Sequence, residues 1–238
     1  MTEIPRTFYV YHRNEKAELM SKEIADRSSI EYINDPMLEL CADFKENDIS
    51  ITGSYGNMVA IDSFCIGNTN AVSFELDIDG EIEKGWIQKH FTIRNLDEVI
   101  FTRSFVLKLS GIEPLYLGHL FFGMKTSLPR FAVEPNTSIE LRSESSRSFG
   151  GQAFGMRRKT LKFFSANFPW LNLEDKKIID DYIEDVLNVE PHIIDPYPEA
   201  HEDFPPIYAT LGISEASFPK LNRDGFYYNS SLSWQEAR

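Results

Sequence analysis

The sequence predicts a mainly β protein with an α+β C-terminal part. An antiparallel β-sandwich is expected over residues 1–125. A smaller module of strands and one amphipathic helix is expected over 126–238. Three observations carry this reading. Short apolar runs of period two, divided by Gly, Asn and Pro, recur between residues 36 and 123. Aromatic residues are abundant, with 18 Phe, 10 Tyr and 3 Trp among 238 residues, and such side chains suit pleated, half-buried surfaces. Near residue 125 the pattern changes, and the strongest helical periodicity in the chain follows.

The first 35 residues are mixed. A short helix is expected over 14–25, with Asn14 as its N-cap and Ala17, Leu19, Met20 and Ile24 as its apolar members. Val72, Phe74, Leu76 and Ile78 alternate with Ser73, Glu75, Asp77 and Asp79 before Gly80, which predicts a half-buried strand running into a turn. Phe105, Leu107 and Leu109 repeat that alternation. Met58–Ile66 and Leu115–Phe122 are more continuously apolar, as strands covered on both faces are. Asn34-Asp35-Pro36, Gly53-Ser54-Tyr55-Gly56 and Gly67-Asn68-Thr69-Asn70 read as the turns between strands.

In the second part, strand-like runs at Ser138–Glu144 and Thr160–Phe164 flank a Ser/Gly-rich connection. Asn172 then caps a helix whose first turn holds Glu174 and Asp175. Its apolar stripe is Ile178, Ile179, Tyr182, Ile183, Val186 and Leu187, and Pro191 closes it. A proline-rich loop leads to two further strands near Ile207–Leu211 and Phe226–Trp234, the latter after an Asn222-Arg223-Asp224-Gly225 turn.

Composition narrows the function classes. The net charge is −13 and the pI about 4.9, so the overall field repels phosphate and opposes general binding to nucleic acid or anionic membrane. Cys41 and Cys65 sit beside apolar neighbours without metal-site spacing and read as buried free thiols, with one bridge between them as the alternative. The first residues lack a basic stretch followed by an apolar core, so no signal peptide is expected, and folding in a cytosol is the expectation. No apolar run reaches the roughly 18 residues of a membrane span. The sequons at Asn136 and Asn229 are then chance matches.

Tests for known chemistry fail one after another. Gly150 and Gly155 have the spacing of a phosphate loop, but Met156-Arg157 stands where Lys and Ser/Thr belong. Glu75-Leu76-Asp77-Ile78-Asp79-Gly80 mimics a calcium loop, yet its twelfth position is Trp86 instead of the bidentate Glu. His192, Asp195, Glu199, His201, Glu202 and Asp203 crowd one loop, where Pro191, Pro196 and Pro198 forbid the i, i+4 pairing of a helical zinc site. His119 lies in an apolar strand and reads as a core residue. There is no Gly-x-Ser-x-Gly elbow, and no catalytic residue, metal or cofactor is assigned.

Charge is distributed unevenly. Residues 142–162 carry six basic side chains against Glu144, and residues 174–204 carry eleven acids against Lys176 and Lys177. This asymmetry reads either as an intramolecular pair or as a docking surface whose charges set partner and register. The candidate interface is Arg142, Arg147, Arg157, Arg158, Lys159 and Lys162 together with Asp180, Asp181, Glu184 and Asp185.

Asn57–Asn68 (NMVAIDSFCIGN), followed by the 71–78 strand, resembles the start of a galactose-binding-like, discoidin-type jelly roll. Leu115–Gly123 (LYLGHLFFG) resembles the strand that closes such a domain. The Gly-rich basic run Ser148–Arg158, the helix at 173–188 and the closing Phe226–Glu236 resemble minor tail or tail-tip proteins of bacteriophages and prophages. The likeness covers residues 35–238. It implies a non-enzymatic structural protein of the virion tail, assembled in the host cytoplasm. Such a protein acts through contacts with other phage tail proteins, as a symmetric homo-oligomer. The alternative is a carbohydrate-binding module recognising a host-surface glycan; loops 53–56 and 67–70 offer room for such a site, but without an aromatic platform no glycan-binding residue is assigned. A carboxylate-based glycan hydrolase is a third, weaker reading.

Overall fold

The structure is a computed structural model and describes residues 8–12, 16–33, 40–88, 91–132, 136–140, 144–147, 153–156, 161–186, 191–198, 200–201, 204–212, 215–222 and 225–237. In chain order the first strands are β1 (Phe8–His12), β2 (Glu18–Met20), β3 (Ala42–Asp43), β4 (Asp48–Thr69), β5 (Ser73–Ile78), β6 (Glu81–Trp86), β7 (Phe91–Ser110) and β8 (Tyr116–Leu128). Then come β9 (Asn136–Glu140), β10 (Glu144–Arg147), β11 (Ala153–Met156), β12 (Leu161–Leu171) and the helix α1 (Leu173–Val186). The chain continues through β13 (His192–Asp195), β14 (Ile207–Leu211), β15 (Glu215–Asn222) and β16 (Gly225–Glu236). Every strand pair whose register is defined is antiparallel. The mainly β class, with one α-helix among the described residues, is therefore the observed one.

The chain forms two compact units. The first comprises Tyr9–Ser127 and His192–Pro206; the second comprises Leu128–Pro191, Ile207–Ala237 and the chain up to Phe8. The segment 192–206, which the sequence assigns to the 126–238 module, thus groups with the first unit.

In the first unit the strand order is β6-β5-β7-β4-β8-β1-β13, with β2 on β4 and β3 on β8. The long strands β4 and β7 each serve two layers. Asp48–Ser54 pairs with Ser104–Ser110 beside β5, whereas Ser63–Gly67 pairs with Phe91–Asn95 on one side and with β8 on the other. Bulges between Ser54 and Val59 and between Ile61 and Ser63 let the pair bend from one layer into the other. Phe105 and Phe122 meet between the layers with ring centroids 3.9 Å apart, and Phe64 meets Phe74 edge-on at 5.5 Å. Around these rings lie Ile49, Ile51, Leu76, Leu107 and Leu117, all buried.

Residues 63–67 are buried on both faces, as a continuously apolar strand requires, while Met58 at the start of that run is exposed. The Asp79-Gly80 turn has positive φ at both residues (52° and 93°), the geometry of a two-residue hairpin, and Asp77 Oδ1 accepts the Gly80 N–H at 2.8 Å. The acids that mimic a calcium loop are therefore spent on a tight turn and on ion pairs.

Two expectations are corrected. Residues 18–20 are strand β2, paired with Thr52–Ser54, and Ile24 bridges to Phe44, so the helix expected over 14–25 does not form; an open edge of β4 claims this segment for pairing. Residues 14 and 15 lie outside the described residues. Gly53–Gly56 and Gly67–Thr69 are likewise not loops but parts of β4. A Cβ on Gly53 would come within 2.2 Å of the Phe105 ring and one on Gly67 within 2.2 Å of the Phe91 ring, so these glycines make room for cross-strand aromatics.

In the second unit the order is β14-β16-β12-β9, with β15 on the free flank of β16 and a separate β10–β11 hairpin. One face of β12 and β16 is apolar: Phe164, Ala166 and Phe168 stand with Leu232 and Trp234, and all are buried. Phe8 stacks on Trp234 at 5.1 Å and meets Phe131, Phe164 and Phe168. Asn172 Oδ1 accepts the Asp175 N–H at 2.8 Å, the expected cap of α1. Ile179, Tyr182 and Val186 are the buried stripe of α1, whereas Ile178 is exposed. Leu187 lies outside the described residues.

Candidate functional site

The other face of β12 and β16 is lined by aromatic, amide and hydroxyl residues. Register and alternation place Phe163, Ser165, Asn167 and Trp170 of β12 on it with Tyr227, Asn229, Ser231, Ser233 and Gln235 of β16. Thr210 of β14 and Ser138 of β9 extend it on either side, through the Thr210–Gln235 and Phe163–Ser138 pairs. These residues are exposed or half-buried and uncharged, while Lys220 and Glu215 of β15 stand opposite Tyr227 and Ser231 in the register. The outward side of the β5–β6–β7 sheet in the first unit carries ion pairs. There Glu75 is held by Lys84 at 2.5 Å and by Lys108 at 2.8 Å. Lys108 and then Lys84 hold the Glu75 carboxyl at about 2, well below its usual value.

At one end of this face a register shift between Phe168 and Leu171 lifts Trp170 out of the ladder. Trp170 has φ +61°, a left-handed backbone that bulky residues avoid, and it remains 66% exposed. Its backbone N–H donates to Asn229 Oδ1 at 3.2 Å, and its ring meets that of Tyr227 edge-on with centroids 5.9 Å apart. A buried ring would explain itself by packing; an exposed one held in a costly conformation presents a flat apolar surface beside amide and hydroxyl groups.

The sequence-derived interface is only partly in view. Arg142, Arg157, Arg158 and Lys159 lie outside the described residues, and Arg147 ends strand β10 with its side chain outside them. Lys162 is exposed, and its backbone N–H reaches Glu236 Oε2 at 3.3 Å. Asp180 pairs with Lys176 one helical turn earlier, and Lys176 also lies 5.6 Å over the Tyr228 ring. Asp181, Glu184 and Asp185 are exposed on α1.

A buried polar cluster occupies the first unit. Asp195 on β13 is fully buried, and its Oδ2 lies 2.8 Å from His201 Nε2, while Oδ1 has no hydrogen-bond partner among the described residues. Burial raises the Asp195 carboxyl; the bond to His201 works in the opposite direction. Burial, then the nearby Asp195, pushes the Tyr11 phenol up, and a hydrogen bond with Asn95 partly offsets this. The fully buried Cys65 thiol is raised for the same two reasons. Such a thiol is inert toward oxidants and electrophiles. His119 is buried and stacks on Phe91 at 6.0 Å. No cluster of three or more His, Cys, Asp or Glu suited to a metal ion occurs among the described residues. No helix among them is long and apolar enough to cross a membrane.

No family model matches the chain, and no curated protein matches it. Among solved structures, part of the chain is similar to the family 32 CBM of Clostridium perfringens NanJ in complex with galactose. The identity is 12% and the TM-score 0.41, over 48% of this chain and 98% of that one. CpGH89CBM32-5 of C. perfringens, in complex with GalNAc-β-1,3-galactose, is similar at 15% identity and TM-score 0.39, over 45% and 95% of the two chains. A GH29 fucosidase of Ruminococcus gnavus in complex with fucose gives 11% and 0.41 over 46% of this chain and 25% of that one. The chain spans about a quarter of the length of the GH29 structures it matches.

Proposed function

We propose that this protein is a non-enzymatic carbohydrate-binding protein, and that Trp170 with Tyr227 forms the platform on which a sugar ring stacks. One observation carries the reading: an exposed tryptophan kept in a left-handed backbone conformation, flanked by Tyr227 and anchored through Asn229. A pyranose offers an apolar C–H face to an aromatic ring and hydroxyls to neighbouring amides, and this surface supplies both. No step of bond making or breaking is asked of the chain.

The test is a glycan array probed with the whole protein and with Trp170→Ala. Retention of defined glycans by the parent, lost in the variant with its circular dichroism unchanged, is the expected result. No retained glycan, or equal retention by both, overturns the reading.

Attachment within a bacteriophage tail is the second reading. It is favoured by the acidic face of α1, where Asp181, Glu184 and Asp185 are exposed and suited to a basic partner surface. In that case, reversing those three acids to Lys abolishes assembly while sugar binding survives.

A further inference from the structure

Strand β6 ends the sheet of the first unit. It pairs with β5, and among the described residues nothing pairs with its other edge. The two-residue Asp79-Gly80 turn makes Ile78 and Glu81 a hydrogen-bonded pair, and such pairs recur at every second position. The Ile87 N–H donates to the Val72 carbonyl at 2.9 Å, as that alternation requires. Ile82, Lys84 and Trp86 therefore turn their N–H and C=O groups away from β5, toward the open edge. Their side chains share the outward face with Ser73, Glu75 and Asp77. Ile82 is 55% exposed and Trp86 73%, although edge strands are usually kept free of large apolar groups. Lys84 is held by Glu75.

From this edge we infer that β6 receives an extended segment of a partner protein as a further antiparallel strand. The chemistry of that segment follows from the two faces of β6. Opposite Ile82 and Trp86 it carries apolar side chains, which cover the exposed isoleucine and indole. Opposite Glu81 and Glu83, both exposed on the other face, it carries Lys or Arg. Gly85 is third on that face and stands over Phe74 with Arg94 beside it, so the acidic stretch is confined to the turn end. The segment is thus basic on one face and apolar on the other, with a period of two. A net charge of −13 draws such a segment toward this chain. Two copies paired about the middle of β6 would instead set Glu83 against Glu83, or Lys84 against Lys84. Like charges directly opposite oppose that pairing, so the occupant is a different protein. None of this depends on the sugar platform.

The experiment is fluorescence polarisation of the whole protein with a labelled peptide alternating Val and Lys, compared with one alternating Val and Glu. The lysine peptide is expected to bind saturably, and about tenfold or more tighter than the glutamate peptide. Lys84→Pro removes one outward N–H and takes no hydrogen bond from β5, so it is expected to abolish binding. Ile82→Thr combined with Trp86→Ser keeps the backbone edge and is expected to weaken binding about tenfold. If Lys84→Pro lowers the thermal midpoint, this second variant decides alone. No binding of the lysine peptide, equal binding of both peptides, or binding untouched by the deciding variant overturns the inference. Sedimentation showing self-association that Lys84→Pro abolishes would give the edge to a second copy, and overturns it too.

Discussion

Trp234 Nε1 donates to the Tyr182 hydroxyl at 2.7 Å, and both side chains are buried. This bond fixes α1 to the apolar face of β16 at a depth where water cannot replace it. Tyr182→Phe keeps the volume but strands the indole N–H, which costs about 1–3 kcal/mol. Urea denaturation at neutral pH measures the loss, and an unchanged midpoint would show that the bond contributes nothing net.

Gly123 on β8 lies against the backbone of β1, where an added Cβ would stand 2.2 Å from the His12 carbonyl oxygen. A backbone atom has no rotamer in which to retreat. Gly123→Ala is expected to lower stability by about 1–3 kcal/mol or more, read from thermal melting.

Asp195 gives a pH signature of definite sign. Burial raises its folded-state pKa above the unfolded value of about 3.9, so the folded form holds the proton more tightly. Its contribution is complete below that unfolded value and is lost as pH rises through the folded one. Relative to Asp195→Asn, the parent protein should therefore lose stability between pH 4 and pH 7. Paired denaturation curves at the two pH values check the direction.

Glu75 behaves in the opposite sense. Its carboxyl, held down to about 2 by Lys108 and Lys84, should titrate well below other glutamates in carboxyl-resolved NMR. Added salt should move its midpoint upward, because this cluster is at the surface and screened.

Trp170→Gly removes the ring and the left-handed penalty together. Stability is expected to stay within about 1 kcal/mol of the parent, since the αL cost removed offsets the lost ring contact. Sugar retention is expected to vanish. Differential scanning calorimetry and the glycan array together separate the two effects.

The parts of the fold written in local periodicity were legible. Phe74, Leu76 and Ile78 alternate into the core of β5, and Asn172 caps α1 where its side chain suggests. What stayed hidden depends on partners far along the chain. Leu19 and Met20 carry a helical spacing, yet pairing with Gly53 and Thr52 makes them strand. Gly53 and Gly67 look like turn residues because a glycine in a sequence does not reveal the ring lying across it. The four residues of β13 sit just after a proline and were too few to show a period, although Ile193 pairs with Tyr11. The platform left no motif at all. Trp170 and Tyr227 stand 57 positions apart and are brought together by the register of β12 on β16, while the backbone strain at Trp170 has no signature in residue type.

The excursion of His192–Pro206 into the first unit makes both units discontinuous in sequence. One cut of the chain therefore cannot release either unit whole; truncation at residue 127 removes β13, the partner of β1. During synthesis the second unit also waits on its centre. Strand β16 pairs with β12, β14 and β15, so only the β9–β12 pair of that sheet can form until Gly225–Glu236 has left the ribosome. Apolar strand faces made earlier, such as Phe164 and Phe168 of β12, await their cover for that interval. Exposed apolar faces and unpaired strand edges of this kind are where an incompletely made chain aggregates.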